Sequence, residues 1–234
     1  DIETGSEVHL HGIHTIEPLL VKESPEKLVD AVHRKVSFLL GENKFPVVVG
    51  GNHTVSIGAA KAFAGHYRNL SILQLDAHSD LRPEYEGSPF NHACAMARMR
   101  EYAPIVQVGI RSMSKEEVPL ADKERIFPAH QLYIDKSGYG KAIELLSGDV
   151  YVTIDLDVLD PSLMPSTGTP EPGGPEYREL MNFLKEVAER KNIVGFDVVE
   201  LCPSPVNKAP DFVAARIIYQ LLSYVFSQPR RQKK

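Results

Sequence analysis

Three short segments of this chain place histidines and aspartates directly after runs of apolar residues. The first reads Val49-Gly50-Gly51-Asn52-His53-Thr54 and the second Leu75-Asp76-Ala77-His78-Ser79-Asp80. The third reads Thr153-Ile154-Asp155-Leu156-Asp157-Val158-Leu159-Asp160-Pro161. A single Asp after a strand usually caps a turn, and a single His is usually structural. The combination is a different matter. Side chains of an extended chain alternate with period two, so Asp76, His78 and Asp80 share one side, as do Asp155 and Asp157. Four carboxylates and two imidazoles gathered at strand ends repel one another unless cations neutralise them, and a metal pair supplies that neutralisation. Oxygen and imidazole donors without thiolate suit manganese, less well zinc or iron, and hold too much imidazole for a calcium site. Two ions about 3.5–4 Å apart share bridging carboxylates and lower the pKa of water from about 15.7 towards ~7, which makes a nucleophile at neutral pH.

Positioning such a cluster requires strands that end together. Short β-branched or apolar runs occur at 45–49, 71–75, 104–109, 150–154 and 192–199, and all are too short for helices. Amphipathic stretches lie between them, at about 54–64, 175–190 and 212–226, and most clearly at 25–40. There Ser24 stands as N-cap, Pro25 at the first helical position and Gly41 as the stop. Doubly buried strands alternating with helices predict an α/β fold: three layers, a mostly parallel central sheet and helices on both faces. Ligands of such sheets sit at the carboxyl ends of the strands, where these polar residues lie.

The 234 residues suffice for one large domain, with 43% apolar and 24% charged residues. No Gly/Ser-rich linker or internal repeat divides them. A net charge of −5 gives no basic face for nucleic acid. The basic stretch Arg230-Arg231-Gln232-Lys233-Lys234 reads as a solvated terminus. Two cysteines, Cys94 and Cys202, form no disulfide framework and fit reduced thiols, so a cytoplasmic location is expected. No apolar run approaches the roughly 20 residues of a membrane span, and no secretory leader is visible. His9, His11 and His14 lie far from the three segments and read as structural or surface residues.

Metallophosphoesterases also combine Asp-x-His with Gly-Asn-His, but in the opposite order and with an intervening Gly-Asp-x-x-Asp that this chain lacks. The chain resembles instead the ureohydrolases, the arginase–agmatinase–formimidoylglutamase family. The resemblance runs in order through 50–53, 76–80 and 155–161 to Thr167-Gly168-Thr169-Pro170-Glu171 and Asp197-Val198-Val199-Glu200. It implies a single ureohydrolase domain over 1–234 that contains two Mn2+ per chain. An earlier strand and a Gly-Pro loop, usual in relatives, are not found here. By position, His53, Asp76, Asp80 and Asp155 would hold one ion, and Asp76, His78, Asp155 and Asp157 the other. Asp80 would also orient the attacking water. His92, in Asn91-His92-Ala93, corresponds to the proton shuttle, and Glu200 to the carboxylate that grips the guanidinium. Thr167 and Glu171 fall in a loop that lies against the substrate. Where relatives carry Asp or Glu this chain has Asn52, a position read as orienting the His53 ring.

Loop 81–87, Leu81-Arg82-Pro83-Glu84-Tyr85-Glu86-Gly87, looks like that of agmatinases. Its acidic residues suit a substrate with a second positive end and no carboxylate. Agmatine, cleaved to putrescine and urea, is therefore the expected substrate, and Arg82 is the residue that speaks for an anionic one. Aminopropylagmatine, guanidino acids, formimidoylglutamate and arginine are the alternatives, with a catalytically silent binding protein on the same fold as the reading from another class. The resemblance also implies a homo-oligomer, trimer or hexamer, and no membrane partner.

Overall fold

The computed structural model describes residues 1–227; the basic stretch 230–234 lies outside the described residues. Six strands form one sheet: β1 (Val47–Val49), β2 (Leu70–Leu75), β3 (Ile105–Ile110), β4 (Ile126–Pro128), β5 (Asp149–Asp155) and β6 (Asn192–Val199). Their order is β1-β6-β5-β2-β3-β4, and every pairing is parallel. Parallel strands need long crossovers: α2 (Thr54–His66) joins β1 to β2, α3 (Ala95–Met99) lies between β2 and β3, α4 (Ala129–Ile134) and α5 (Ser137–Leu145) join β4 to β5, and α6 (Tyr177–Arg190) joins β5 to β6. Helix α1 (Pro25–Gly41) precedes β1 and α7 (Ala209–Ser227) follows β6.

Alternation along the buried strands divides the core between the two faces. Leu73 and Leu75 of β2 pack with Ile143, Leu184 and Ile217 from α5, α6 and α7. Leu70 and Ile72 face the other way, towards Val32, Ile57 and Met96 of α1, α2 and α3. The expected three layers are thus present. In α1, Val29, Val32, Val36 and Leu40 are buried at three- and four-residue spacing. Ser24 caps it by accepting from the Lys27 amide at 3.3 Å. Gly41 does not stop this helix; the last turn includes it, and Asn43 takes the left-handed conformation at φ 54°. Edge strand β4 was not evident in sequence, because its three residues end on Pro128 and are only half-buried.

No helix among the described residues is long and apolar enough to cross a membrane. Both cysteines are free, Cys94 buried and Cys202 exposed. His9, His11 and His14 are exposed, and the His11 ring lies 5.0 Å from that of Phe226.

Candidate metal centre

The chain leaves β2 towards β3 and β4 on one side, and later leaves β5 towards β6 on the other. Neighbours β2 and β5 therefore flank the point where the winding reverses, and the crevice beyond their carboxyl ends is where such sheets hold ligands. Leu75 pairs with Ile154, so Asp76 and Asp155 emerge side by side. Asp155 in turn pairs with Val199, which brings Glu200 to the same edge. His53 arrives from β1 through Gly50-Gly51 and caps α2. A Cβ at Gly50 would lie 2.5 Å from Val55 Cγ2 and 3.0 Å from Val199 Cγ1, so this close crossing admits only glycine.

These segments converge on one buried cluster. His53 Nδ1 stands 3.0 Å from Asp80 Oδ2, 3.2 Å from Asp76 Oδ2 and 3.5 Å from Asp155 Oδ2. His78 Nδ1 stands 3.0 Å from Asp157 Oδ2 and 3.6 Å from Asp76 Oδ1. Asp76 thus presents one oxygen to each imidazole. Donor atoms of His53, Asp76 and Asp80 form one group and those of Asp76, His78 and Asp157 a second, each within 4.8 Å. Asp155 approaches through His53. All six predicted ligands are brought together, although not by strand alternation. β2 stops at Leu75, and Asp80 is turned into the site by a left-handed backbone at φ 51°. Glu200 is left-handed as well, at φ 65°. Such strain in non-glycine residues costs of order 1–3 kcal/mol and persists only where the surroundings impose it.

Burial and mutual repulsion act on every acid of the cluster. Burial and the Asp76 charge push Asp80 up to about 7. Burial, with the charges of Asp76 and Asp157, raises Asp155 well above the carboxylate range. Burial and Asp76 also raise Asp157, against the pull of His78. Asp76 is buried too, yet the two imidazoles outweigh that and hold it well below its usual range. Burial would lower His78, but Asp157 and Asp76 carry it up to about 11. The buried Nδ1 of His53 faces three carboxylate oxygens and makes no hydrogen bond of proper geometry. A ring nitrogen aimed into three converging carboxylate oxygens fits a divalent cation, and the oxygen-plus-imidazole donor set fits a hard or borderline one.

The other predicted residues are placed less simply. The backbone N–H of His53 donates to Glu200 Oε1 at 2.7 Å, so one oxygen of that carboxylate is already engaged. His92 opens a short 3-10 turn, with its ring centroid 6.0 Å from that of Tyr85; Tyr85 in turn lies under the Arg82 guanidinium at 4.7 Å. Thr167 is buried with its hydroxyl unpartnered, and Glu171 accepts from Arg111 through its carbonyl. Within that loop it is Thr169 that reaches the cluster, 3.4 Å from Asp157 Oδ2. Asp160 performs turn chemistry, accepting from the amides of Ser162 and Gly173. Asn52 is corrected. Its side chain is exposed and does not orient His53, whose Nε2 lies 2.9 Å from Thr153 Oγ1.

Sequence reasoning missed several supports. Glu117, buried, accepts from Ser79 Oγ at 2.6 Å, Leu81 N at 2.8 Å and Ser114 N at 2.8 Å, and so braces both sides of Asp80. Gln74 donates to Asp76 Oδ2 at 2.7 Å and is itself held by Gln107. Arg111 donates to the carbonyls of Asp157, Val158 and Glu171, tying the loop after β5 to loop 167–171. A glutamine inside each of the apolar strands β2 and β3 was a readable signal. Glu117 and Arg111 gave none.

The arginase family model matches residues 1–223. An N(1)-aminopropylagmatine ureohydrolase of Thermus thermophilus is 37% identical over 225 residues, covering 94% of this chain and 76% of the relative. An agmatinase of Pyrococcus horikoshii is 31% identical over 206 residues, covering 88% and 71%. Among solved structures, the agmatine ureohydrolase of Thermoplasma volcanium superposes with a TM-score of 0.79 at 30% identity, covering 89% of this chain and 72% of that one. The arginase of Bacillus cereus does so with a TM-score of 0.75 at 26% identity, covering 88% and 79%. Sequence, topology and the shared-aspartate cluster agree, and the chain belongs to the arginase family, the ureohydrolases that cleave guanidino C–N bonds.

Proposed function

We propose that this enzyme, a single domain, holds two Mn2+ ions and hydrolyses agmatine to putrescine and urea. The observation that carries the reading is the sharing of Asp76 between two His–Asp groups, with the unpartnered His53 Nδ1 at its centre. His53, Asp76, Asp80 and Asp155 would hold one ion, and Asp76, His78, Asp155 and Asp157 the other. Bound there, the pair would supply Lewis-acid activation of water at neutral pH.

The chain's own groups do the rest. Glu200 keeps one oxygen on the His53 amide and turns its charge towards the guanidinium, whose N–H groups it takes in charge-assisted hydrogen bonds. Asp80 accepts a hydrogen bond from the attacking water and so aims it at the central carbon. His92, half-exposed at the rim, delivers a proton from its ring nitrogen to the departing amine. Thr167 and Glu171 border the substrate from loop 167–171. Exposed Glu84 and Glu86 give the far ammonium group an acidic neighbourhood.

A second substrate has a specific observation behind it: relatives from Thermus thermophilus and Synechocystis are N(1)-aminopropylagmatine ureohydrolases. Urea release measured side by side on agmatine, N(1)-aminopropylagmatine, arginine and formimidoylglutamate decides between them. Agmatine should give the highest kcat/KM. Faster turnover of the aminopropyl compound would move the assignment to it, and faster turnover of arginine or formimidoylglutamate would remove the acidic-loop argument. A homo-oligomer, trimer or hexamer, is part of the same proposal and is read by light scattering.

A further inference from the structure

Behind His53 lies a buried chain of polar groups that the reaction does not use. His53 Nε2 is 2.9 Å from Thr153 Oγ1, which donates at 2.7 Å to Asp197 Oδ1. The other oxygen of Asp197 accepts from the Tyr151 hydroxyl, and Ser56 Oγ lies 3.3 Å from Thr153 Oγ1. His53, Ser56, Tyr151, Thr153 and Asp197 are all buried, and Tyr151, Thr153 and Asp197 have no exposed surface at all.

Counting hydrogens gives this chain a direction. The Tyr151 and Thr153 hydroxyls both donate to Asp197, one to each carboxylate oxygen. Thr153 has a single hydroxyl hydrogen. Once that is given to Asp197, or to Ser56, only a lone pair remains to face His53. Nε2 must then carry an N–H, and Nδ1 is the ring nitrogen that faces the carboxylate cluster, where a cation can take the place of a proton.

We propose that Thr153, oriented by the buried Asp197–Tyr151 pair, is a positioning residue that fixes the His53 ring with Nε2 protonated and Nδ1 presented for cation binding. This rests on the metal-dependent reading above and names the part of the chain that prepares its first ligand. It also explains why an exposed Asn52 is compatible with the site: the ring is held from inside the sheet, by a residue two positions before Asp155 on β5. The chain is anchored on β5 and β6, which pair as Thr153 with Asp197, so the same register that aligns the ligands aligns their support.

The test uses the full chain with manganese and, for spectroscopy, cadmium as the diamagnetic probe. Thr153→Val preserves shape and removes the hydroxyl; Thr153→Ser keeps it. Manganese titration followed by EPR should show two sites in the unmodified protein. One should weaken about 10–100-fold in Thr153→Val while the His78 site holds, and Thr153→Ser should recover it. In cadmium-loaded, 15N-histidine-labelled protein, His53 should show an Nε2–H protected from solvent exchange, and Thr153→Val should lose that protection. Equal manganese affinity in Thr153→Val, or a His53 ring bound through Nε2, overturns the inference. Two tight sites that obey these expectations in a protein that leaves every guanidinium substrate intact would sink the proposed function and spare this inference. Agmatine hydrolysis with an indifferent Thr153→Val would do the reverse, and a protein that binds no cation would overturn both.

Discussion

Replacing Glu117 by Gln should destabilise the protein by about 2–5 kcal/mol and weaken cation binding, although Glu117 touches no ligand side chain. The magnitude follows from its three donors. Oε1 accepts from Ser79 Oγ and the Leu81 amide, and Oε2 from the Ser114 amide. A glutamine offers one accepting oxygen and one NH2, so whichever way it sits, at least one buried backbone N–H faces another donor. An unsatisfied buried group costs about 1–3 kcal/mol, and the remaining bonds lose charge assistance worth roughly 0.5–1 kcal/mol each. Ser79 and Leu81 flank Asp80, whose left-handed backbone is imposed by this bracing. The pH dependence has a definite sign. Burial alone would raise the Glu117 carboxyl, but hydrogen bonds from Ser79, Ser114 and Leu81 outweigh it and lower it. Its contribution is therefore complete above the unfolded value of about 4.3 and fades as pH falls through the lower folded value. Urea denaturation of both proteins at pH 7, 5 and 4 measures this. The gap should be full at pH 7 and 5 and start to narrow only below. A gap under about 0.5 kcal/mol at pH 7, or one that grows on acidification, would refute the reasoning.

Metal analysis after reconstitution should approach two manganese ions per chain, and Asp157→Ala should remove one; no change in stoichiometry would end the binuclear model. His92→Ala should lower turnover by about 10²–10⁴-fold with metal content unchanged, as measured by urea release. Unaltered turnover would pass the proton-shuttle role to another group or to water. Glu200→Gln should cut kcat/KM on agmatine sharply with both ions retained, and a change in KM for manganese instead would make Glu200 a support for His53 through its amide contact.

What was legible in the sequence is what the sheet exposes locally. A run such as Val150-Tyr151-Val152-Thr153-Ile154 is too short and too β-branched for anything but a buried strand, and a charged residue just past it, here Asp155, has few places to go except the carboxyl edge. That logic located all six ligand candidates. It failed where contact is made between residues far apart in sequence. Glu117 sits in Lys115-Glu116-Glu117, which reads as solvated surface, and only the fold puts it beneath Ser79. Asn52 shows the opposite error, since the acidic residue that relatives carry at this position implies a contact with the His53 ring that the exposed Asn52 does not make. At the start of α2 the chain turns, sends Asn52 to solvent and His53 inward, and leaves the ring to Thr153 on another strand. Thr169, not Thr167 or Glu171, touches Asp157, because the loop's path is set by Arg111 holding its carbonyls.

The same arrangement that makes the centre also couples it to folding. Four carboxylates end on neighbouring parallel strands, and burial denies them water. Their mutual repulsion is a cost borne by the folded state alone, because the unfolded chain separates Asp76 from Asp155 and leaves both hydrated. Cations that bind only the assembled cluster return free energy by mass action, about 2.7 kcal/mol for a site at a hundred times its Kd. For a domain of this size 1 kcal/mol moves Tm by about 2–4 °C, so saturating one such site should raise Tm by roughly 5–11 °C. The rise should continue with manganese concentration, and it should be smaller in Asp157→Ala, which keeps one group of donors. Thr153→Val tests the same coupling from behind, since a His53 ring free to turn presents its lone pair less often and shifts the whole melting curve to higher manganese. A Tm independent of manganese in the unmodified protein would mean that the carboxylates are neutralised by protons or by one another, and that the cluster is a structural feature of the sheet edge and not a cation site.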